Sequence, residues 1–185
     1  MKTMRLLITC VCVCAFVAGC SSKMTIETQY EEGVDFSKYS TWNWLPELQE
    51  QSVDPRIADP VVQNRIRRAI ESQLGEQGFN RTMDSPDFFV VYHAALEDGL
   101  SQTMVDDWYD NNAANAEYST NMQVNYTNSW EEGSLLIDIL DSKTVEIVWR
   151  GSARAEIKVE ANDEEKDKRI KEAVQKMFEK FPPKS

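Results

Sequence analysis

A single histidine limits the acid–base chemistry available to this chain. His93 is the only histidine among 185 residues, so a Ser-His-Asp triad would have to include it. It alternates with Phe89 and Val91 in an apolar run, which places the three side chains on one face of a strand. We therefore predict a buried structural histidine. The sequence also contains no G-x-S-x-G elbow, no H-E-x-x-H pair and no glycine-rich phosphate loop.

Carboxylates between residues 106 and 132 raise the question of a metal site or a hydrolase. Asp106 and Glu117 occupy the first and twelfth positions of a calcium-loop window. The window has Trp108 at its third position, and Asn111 at the sixth, where a glycine is needed. We therefore predict no metal site, no cofactor and no catalytic residue. Hydrolysis of an envelope polymer such as peptidoglycan by paired carboxylates stays open as an alternative, since spacing cannot show their separation.

Aromatic residues in the same segment raise a third alternative, a domain that binds glycan without cleaving it. Tryptophan and tyrosine rings can stack on sugars, and amide side chains surround them here. Packing in a core or at a sheet edge explains these rings at least as well. The residues concerned are Trp108, Tyr109, Tyr118, Tyr126 and Trp130.

The N-terminus has the pattern of a secretion signal. Lys2 and Arg5 precede an almost uninterrupted apolar run from Leu6 to Val17, and small residues follow. The run is too short to span a bilayer, which needs about 20 apolar residues. We predict a signal peptide over residues 1–19.

Cys20 is the residue with the most specific chemistry. The sequence Val17-Ala18-Gly19-Cys20 resembles the bacterial lipobox, so we expect cleavage between Gly19 and Cys20. Cys20 would then carry S-linked diacylglycerol and an N-linked palmitoyl group, and several acyl chains make membrane attachment stable. Residues 20–23 would form a short tether. The other three cysteines lie within the signal, so the processed chain would have no disulfide.

The charge of the chain argues against nucleic acid as a partner. Removal of residues 1–19 takes away two basic residues and no acid, which changes the formal net charge from −11 to −13. Such a surface repels phosphate backbones.

Hydrophobic periodicity predicts one α+β domain over residues 24–185. We expect a two-layer arrangement in which two amphipathic helices pack on one face of a mostly antiparallel sheet of five or six strands. The helices are predicted from Asp59-Pro60 to Gly78 and at 163–180. Strands are predicted at 24–30, 40–45, 87–96 and 121–130, followed by three alternating runs at 135–139, 145–149 and 153–159.

Three local expectations accompany this arrangement. Asp138 and Asp141 are predicted to bracket a turn, and Gly151 is predicted to be a bulge or bend between two strands. The charged side of the first helix is predicted to be a solvated surface. It consists of Arg65, Arg67, Arg68 and Glu71.

Four segments together resemble the bacterial lipoproteins known as domain of unknown function 4136. The most specific is Glu132 to Gly151, with a glycine, an apolar strand, an aspartate turn and then Val-Trp-Arg-Gly; the others are Asp35 to Trp44, Pro86 to His93 and Ile170 to Pro183. The resemblance implies a lipobox, an envelope location and an α+β domain. It implies no catalytic residue.

The combined expectation is a non-enzymatic lipoprotein, lipid-anchored in the outer membrane, whose domain lies in the periplasm. Serines follow Cys20, whereas an aspartate there would favour the inner membrane. The predicted partners are the membrane, through the Cys20 anchor, and another envelope protein.

Overall fold

The computed structural model describes residues 24–45, 59–95, 133–155 and 161–183. They form one six-stranded sheet, two α-helices and a short 3-10 helix at Phe36–Lys38, which confirms the predicted α+β class. The helices are α1 (Pro60–Glu76) and α2 (Asp163–Phe178). The strands are β1 (Met24–Tyr30), β2 (Thr41–Trp44), β3 (Asn80–Arg81), β4 (Phe88–Ala95), β5 (Gly133–Asp141) and β6 (Ile147–Ala155).

The sheet is mixed, with the strand order β1-β6-β5-β4-β2-β3. The first four strands in this order pair antiparallel, whereas β2 is parallel to both β4 and β3. The apolar strand β4 lies between β5 and β2, as its sequence predicts. Its alternate residues enter two separate groups of buried side chains, one on each face of the sheet.

The described residues of the last third of the chain form two strands where three alternating runs were predicted. Residues 147–155 form one continuous strand, and Gly151 lies in its middle, paired with Thr28 and Ile137. The predicted bend at Gly151 is therefore wrong. The irregularity lies instead at Val148, because Ile139 pairs with Trp149 and the next residue of β5 pairs with Ile147. The strand predicted at 121–130 and residues 157–159 lie outside the described residues.

Both helices pack on one face of the sheet, as predicted. Asp59 caps α1 by accepting a hydrogen bond from Val61 N at 2.8 Å, and Pro60 occupies the first turn. Asn162 and Glu165 form a capping box at the start of α2. Neither helix is long and apolar enough to cross a membrane. The core under the helices is rich in aromatic rings, including Phe36, Trp42, Trp44, Phe88, Trp149, Phe178 and Phe181.

The charged side of α1 is less solvated than predicted. Arg65 forms ion pairs with Asp163 and Asp167 at the start of α2, at 2.9 and 2.8 Å. The guanidinium of Arg67 lies 4.9 Å from the centre of the Trp44 ring, within the range of a cation–π contact. Arg68 is exposed, as predicted. Arg65 and Arg67 therefore position α1 against α2 and β2.

Candidate functional site

Most of the sequence-predicted site residues lie outside the described part of the chain. These are Cys20 and its signal, the carboxylates Asp106 and Glu117, and the aromatic residues from Trp108 to Trp130. Their roles stay predictions. His93 is the candidate that the structure places.

His93 lies on β4, on the face of the sheet opposite the helices. It pairs in register with Leu136 of β5 and is 6% exposed, which confirms that it is buried. Burial lowers the pKa of His93 to about 4; Asp138 opposes this effect and Arg150 adds to it. The imidazole is therefore neutral at pH 7. Its Nε2 lies 4.0 Å from Asp138 Oδ2.

Asp138 and Arg150 form a buried, bidentate ion pair between β5 and β6. Arg150 Nε and Nη2 donate to the two carboxylate oxygens at 2.6 and 2.7 Å. The two residues are 0% and 2% exposed. The prediction that Asp138 brackets a turn is wrong, because it lies inside β5, directly opposite Arg150. The cross-strand register identifies this pair, and it depends on the irregularity at Val148, because pairing counted from Leu140 and Ile147 alone would place Asp138 opposite Trp149.

His93, Asp138 and Arg150 together form the buried polar cluster. An ion pair out of water is tolerable only when its partners satisfy each other, as the two-pronged contact does here. A general base has to reach a substrate proton, whereas these three side chains are enclosed. The cluster's chemistry is therefore suited to holding strands β4, β5 and β6 together.

Two further carboxylates, Asp87 and Asp141, lie at the end of the sheet where the β5–β6 turn is found. Asp87 Oδ2 accepts hydrogen bonds from the backbone N–H and hydroxyl groups of Ser40 and Thr41, at 2.8–3.1 Å. The backbone N–H of Ser40 contributes most to lowering the pKa of Asp87 to about 2. This carboxylate is ionised at neutral pH and is used to join β2 to the start of β4.

Asp141 forms the predicted turn between β5 and β6. Its Oδ1 accepts from the backbone N–H groups of Lys143 and Thr144, and its Oδ2 accepts from the Tyr39 hydroxyl at 2.8 Å. Burial raises the pKa of Asp141, but the hydrogen bonds outweigh it and the net pKa is lowered. Burial and the contact with Asp141 raise the pKa of Tyr39. Both groups are therefore fixed in place.

A third polar network lies at the β2–β3 edge and is partly exposed. Glu71 Oε1 accepts from Trp44 Nε1 and from Arg81 Nη1, each at 3.0 Å. Arg81 Nε also donates to Asn43 Oδ1 at 3.2 Å, and Asn43 Nδ2 donates to Met83 Sδ at 3.5 Å. Sequence periodicity did not identify this network because its members come from three elements.

No metal centre is found in the described ranges: they contain no group of three or more His, Cys, Asp or Glu side chains that could hold an ion.

Comparison with known proteins assigns the family. The profile of the domain of unknown function DUF4136 matches residues 26–183, which is most of the chain. The chain belongs to the DUF4136 family. None of the curated proteins matches its sequence.

Three solved structures are similar to this DUF4136 chain, and the first of them, with a TM-score above 0.5, shares its fold. A PDZ domain protein from Parabacteroides distasonis has a TM-score of 0.53 and 14% identity; the match covers 89% of this chain and 37% of that protein. This chain therefore spans little more than a third of that relative. A DUF4136 family protein from Bacteroides thetaiotaomicron has a TM-score of 0.49 and 14% identity, with 86% and 96% of the two chains covered. A PelC dodecamer from Paraburkholderia phytofirmans has a TM-score of 0.47 and 6% identity; the match covers 88% of this chain and 100% of that chain.

Proposed function

We propose that this DUF4136 domain is the folded part of a lipoprotein that is anchored in the outer membrane through Cys20. In the periplasm it binds or helps to assemble another envelope component, without catalysing a reaction. The observation that carries the proposal is the sequence Val17-Ala18-Gly19-Cys20 directly after a signal-like apolar run. Membership of the DUF4136 family agrees with it.

The tether sets how the domain would stand on the membrane. The four steps from Cys20 to Met24 span at most about 14 Å. Met24 pairs with Ala155, and Ala155 pairs with Gly133, so this end of the sheet would lie next to the lipid. Strand β5 has nine residues and a length of about 30 Å. The turn at Asp141 would therefore point into the periplasm.

The ionisable groups of the described region support a binding role over catalysis. His93 is enclosed and neutral at pH 7. Asp87 Oδ2 and both carboxylate oxygens of Asp141 accept hydrogen bonds within the fold, which commits them to structural contacts. The strongly negative net charge favours a partner with a basic surface, because opposite potentials speed association.

The anchor is tested by intact-mass and peptide mass spectrometry of the full chain purified from membranes in detergent. We expect the chain to begin at Cys20 and to carry diacylglycerol and one further acyl group. The Cys20→Ala chain should keep residues 1–19 and carry no lipid. A Cys20 without lipid in the membrane-purified protein contradicts the proposal.

The binding role is tested by crosslinking in living cells. The control is the same domain behind an ordinary secretion signal, with Cys20→Ala, so that it reaches the periplasm unanchored. We expect one dominant envelope protein to crosslink to the anchored chain. Release of soluble fragments from peptidoglycan by the purified protein would instead favour the hydrolase. Retention on insoluble peptidoglycan that is lost in Trp108→Ala and Trp130→Ala would favour glycan binding.

A further inference from the structure

An exposed thioether contacts a buried amide at the β2–β3 edge. Met83 follows β3 and is 78% exposed, whereas Asn43 on β2 is 6% exposed. Asn43 Nδ2 donates to Met83 Sδ at 3.5 Å. A thioether is a weak hydrogen-bond acceptor, so a buried N–H donor has a poor partner here.

The orientation of the Asn43 amide is fixed by its other neighbour. Arg81 Nε lies 3.2 Å from Asn43 Oδ1, and a guanidinium can only donate. The amide oxygen must therefore face Arg81, and the NH₂ group must face Met83. Arg81 is itself held by Glu71, through the Nη1–Oε1 contact at 3.0 Å.

The segment that carries Met83 is attached to β2 on both sides. Thr82 N donates to Trp42 O, and Asp87 N donates to Thr41 O, each at 2.9 Å. The backbone of residue 83 is therefore held close to Asn43. The side chain has three rotatable bonds and can move its sulfur outward without displacing this backbone.

We propose that Met83 is a site of oxidation by hydroperoxides, and that Asn43 stabilises the sulfoxide by donating a hydrogen bond to its new oxygen. The sulfur lone pair attacks the terminal oxygen of hydrogen peroxide, an S–O bond forms and the O–O bond breaks. Proton transfer then releases water. Sulfur loses two electrons and the peroxide gains them.

Oxidation at this position should stabilise the fold, in contrast with the usual effect on a core methionine. The sulfoxide oxygen is a stronger acceptor than the thioether, and the buried donor is already directed at it. Met177 is the matched comparison, because it is 0% exposed in the core under the helices. A polar oxygen there would enter an apolar environment and disrupt packing.

The test uses the full chain in detergent, treated with hydrogen peroxide. We expect peptide mass spectrometry to show Met83 oxidised several times faster than Met177. We expect the Tm of the protein oxidised at Met83 to exceed that of the reduced protein by about 2–4 °C, the shift that one added hydrogen bond gives in a chain of this size.

Three variants assign the effect to the two residues. Asn43→Asp keeps an acceptor for Arg81 and removes the N–H donor, so the gain in Tm on oxidation should disappear. Met83→Leu should likewise show no gain, which controls for oxidation elsewhere. Met83→Gln supplies a permanent amide oxygen and should be more stable than Met83→Leu by about the same 2–4 °C.

Two results would overturn the proposal. One is equal oxidation rates at Met83 and Met177. The other concerns the Tm: oxidation fails to raise the Tm of the parent protein, or it raises the Tm of Met83→Leu as well. If Asn43→Asp does not fold, the comparison of Met83→Gln with Met83→Leu decides, and equal Tm values reject the role of Asn43.

Discussion

The two faces of the sheet both carry buried side chains but differ in chemistry. The face under α1 and α2 is apolar, and one of its three tryptophans, Trp149, packs against Phe178 and Phe181 with ring centres 5.5 and 5.2 Å away. The opposite face has the ion pair of Asp138 and Arg150 at its centre, although aliphatic side chains surround it. The first face is stabilised by the area it removes from water, and the second depends on matched charges.

This difference also affects how the strands find their register. Apolar side chains on one face tolerate small displacements, because dispersion and burial have little direction. The bidentate pair is satisfied only when Asp138 lies opposite Arg150, as in the observed pairing. A slip of β6 by one residue would turn Arg150 to the other face and leave Asp138 without its partner. The polar face therefore selects one alignment of β5 and β6.

Breaking the ion pair should have the largest effect on stability. Asp138→Asn leaves the Arg150 charge buried with a neutral partner, and we expect the free energy of unfolding to fall by about 3–5 kcal/mol. Denaturant titration followed by circular dichroism measures it. The double variant Asp138→Leu, Arg150→Met removes both charges and should lose less than Asp138→Asn. A double variant that loses as much as Asp138→Asn, or more, would show that the unpaired Arg150 charge is not the cause of the loss.

Low pH should have the second largest effect on stability, and it acts through His93 on the face opposite the helices. The pKa of His93 is about 4 in the folded chain against 6.5 for a free side chain. The unfolded chain therefore takes up this proton first as pH falls, so stability should decrease between pH 6.5 and 4, by up to about 3 kcal/mol.

His93→Gln isolates this effect because glutamine does not titrate. The difference in unfolding free energy between the parent and His93→Gln should change across that window and stay constant above it. Asp87, with a pKa of about 2, loses its contribution only at lower pH. Parallel stability curves for the two proteins between pH 6.5 and 4 would show that burial does not perturb His93.

A third experiment acts on the helix-covered face. A methyl group added at Gly151 would overlap the ring of Trp149, so the ring would have to move against its aromatic neighbours. Gly151→Ala should cost about 1–3 kcal/mol, the range for overpacked cores. Gly75→Ala is the matched control, because nothing lies within 4 Å of its added carbon. The control should be neutral or stabilising, and equal losses in both would reject the steric explanation.

Much of the fold was predictable because it depends on local pattern. Asp59 and Pro60 mark the start of α1, and the apolar residues of β4 place that strand centrally. Gly151 was misassigned for a physical reason. Glycine commonly indicates a bend, but here it makes room for a ring two residues away, and that contact forms only when the strand is packed.

The buried polar cluster was less predictable than the fold. The burial of His93 followed from the apolar alternation of β4. The pairing of Asp138 with Arg150 required the register of two strands, and an aspartate near a turn has an obvious local role that competes with it. Tertiary contacts of this kind are not encoded in the spacing within one element.

The smallest expected effect lies outside both faces, where α1 meets α2. Arg65 is mostly buried, but its partners Asp163 and Asp167 are much more exposed, and the contact of Nε with Asp167 Oδ1 lacks hydrogen-bond geometry. Arg65→Gln should therefore cost only about 0.5–1 kcal/mol of unfolding free energy, and added salt should shrink that difference.

Arg68→Gln is the control, since the described residues provide Arg68 with no ion pair. It should change the free energy of unfolding by less than about 0.5 kcal/mol. A loss at Arg65 as large as that at Asp138, or one insensitive to salt, would mean that the helix pair, like the polar face, depends on enclosed charge.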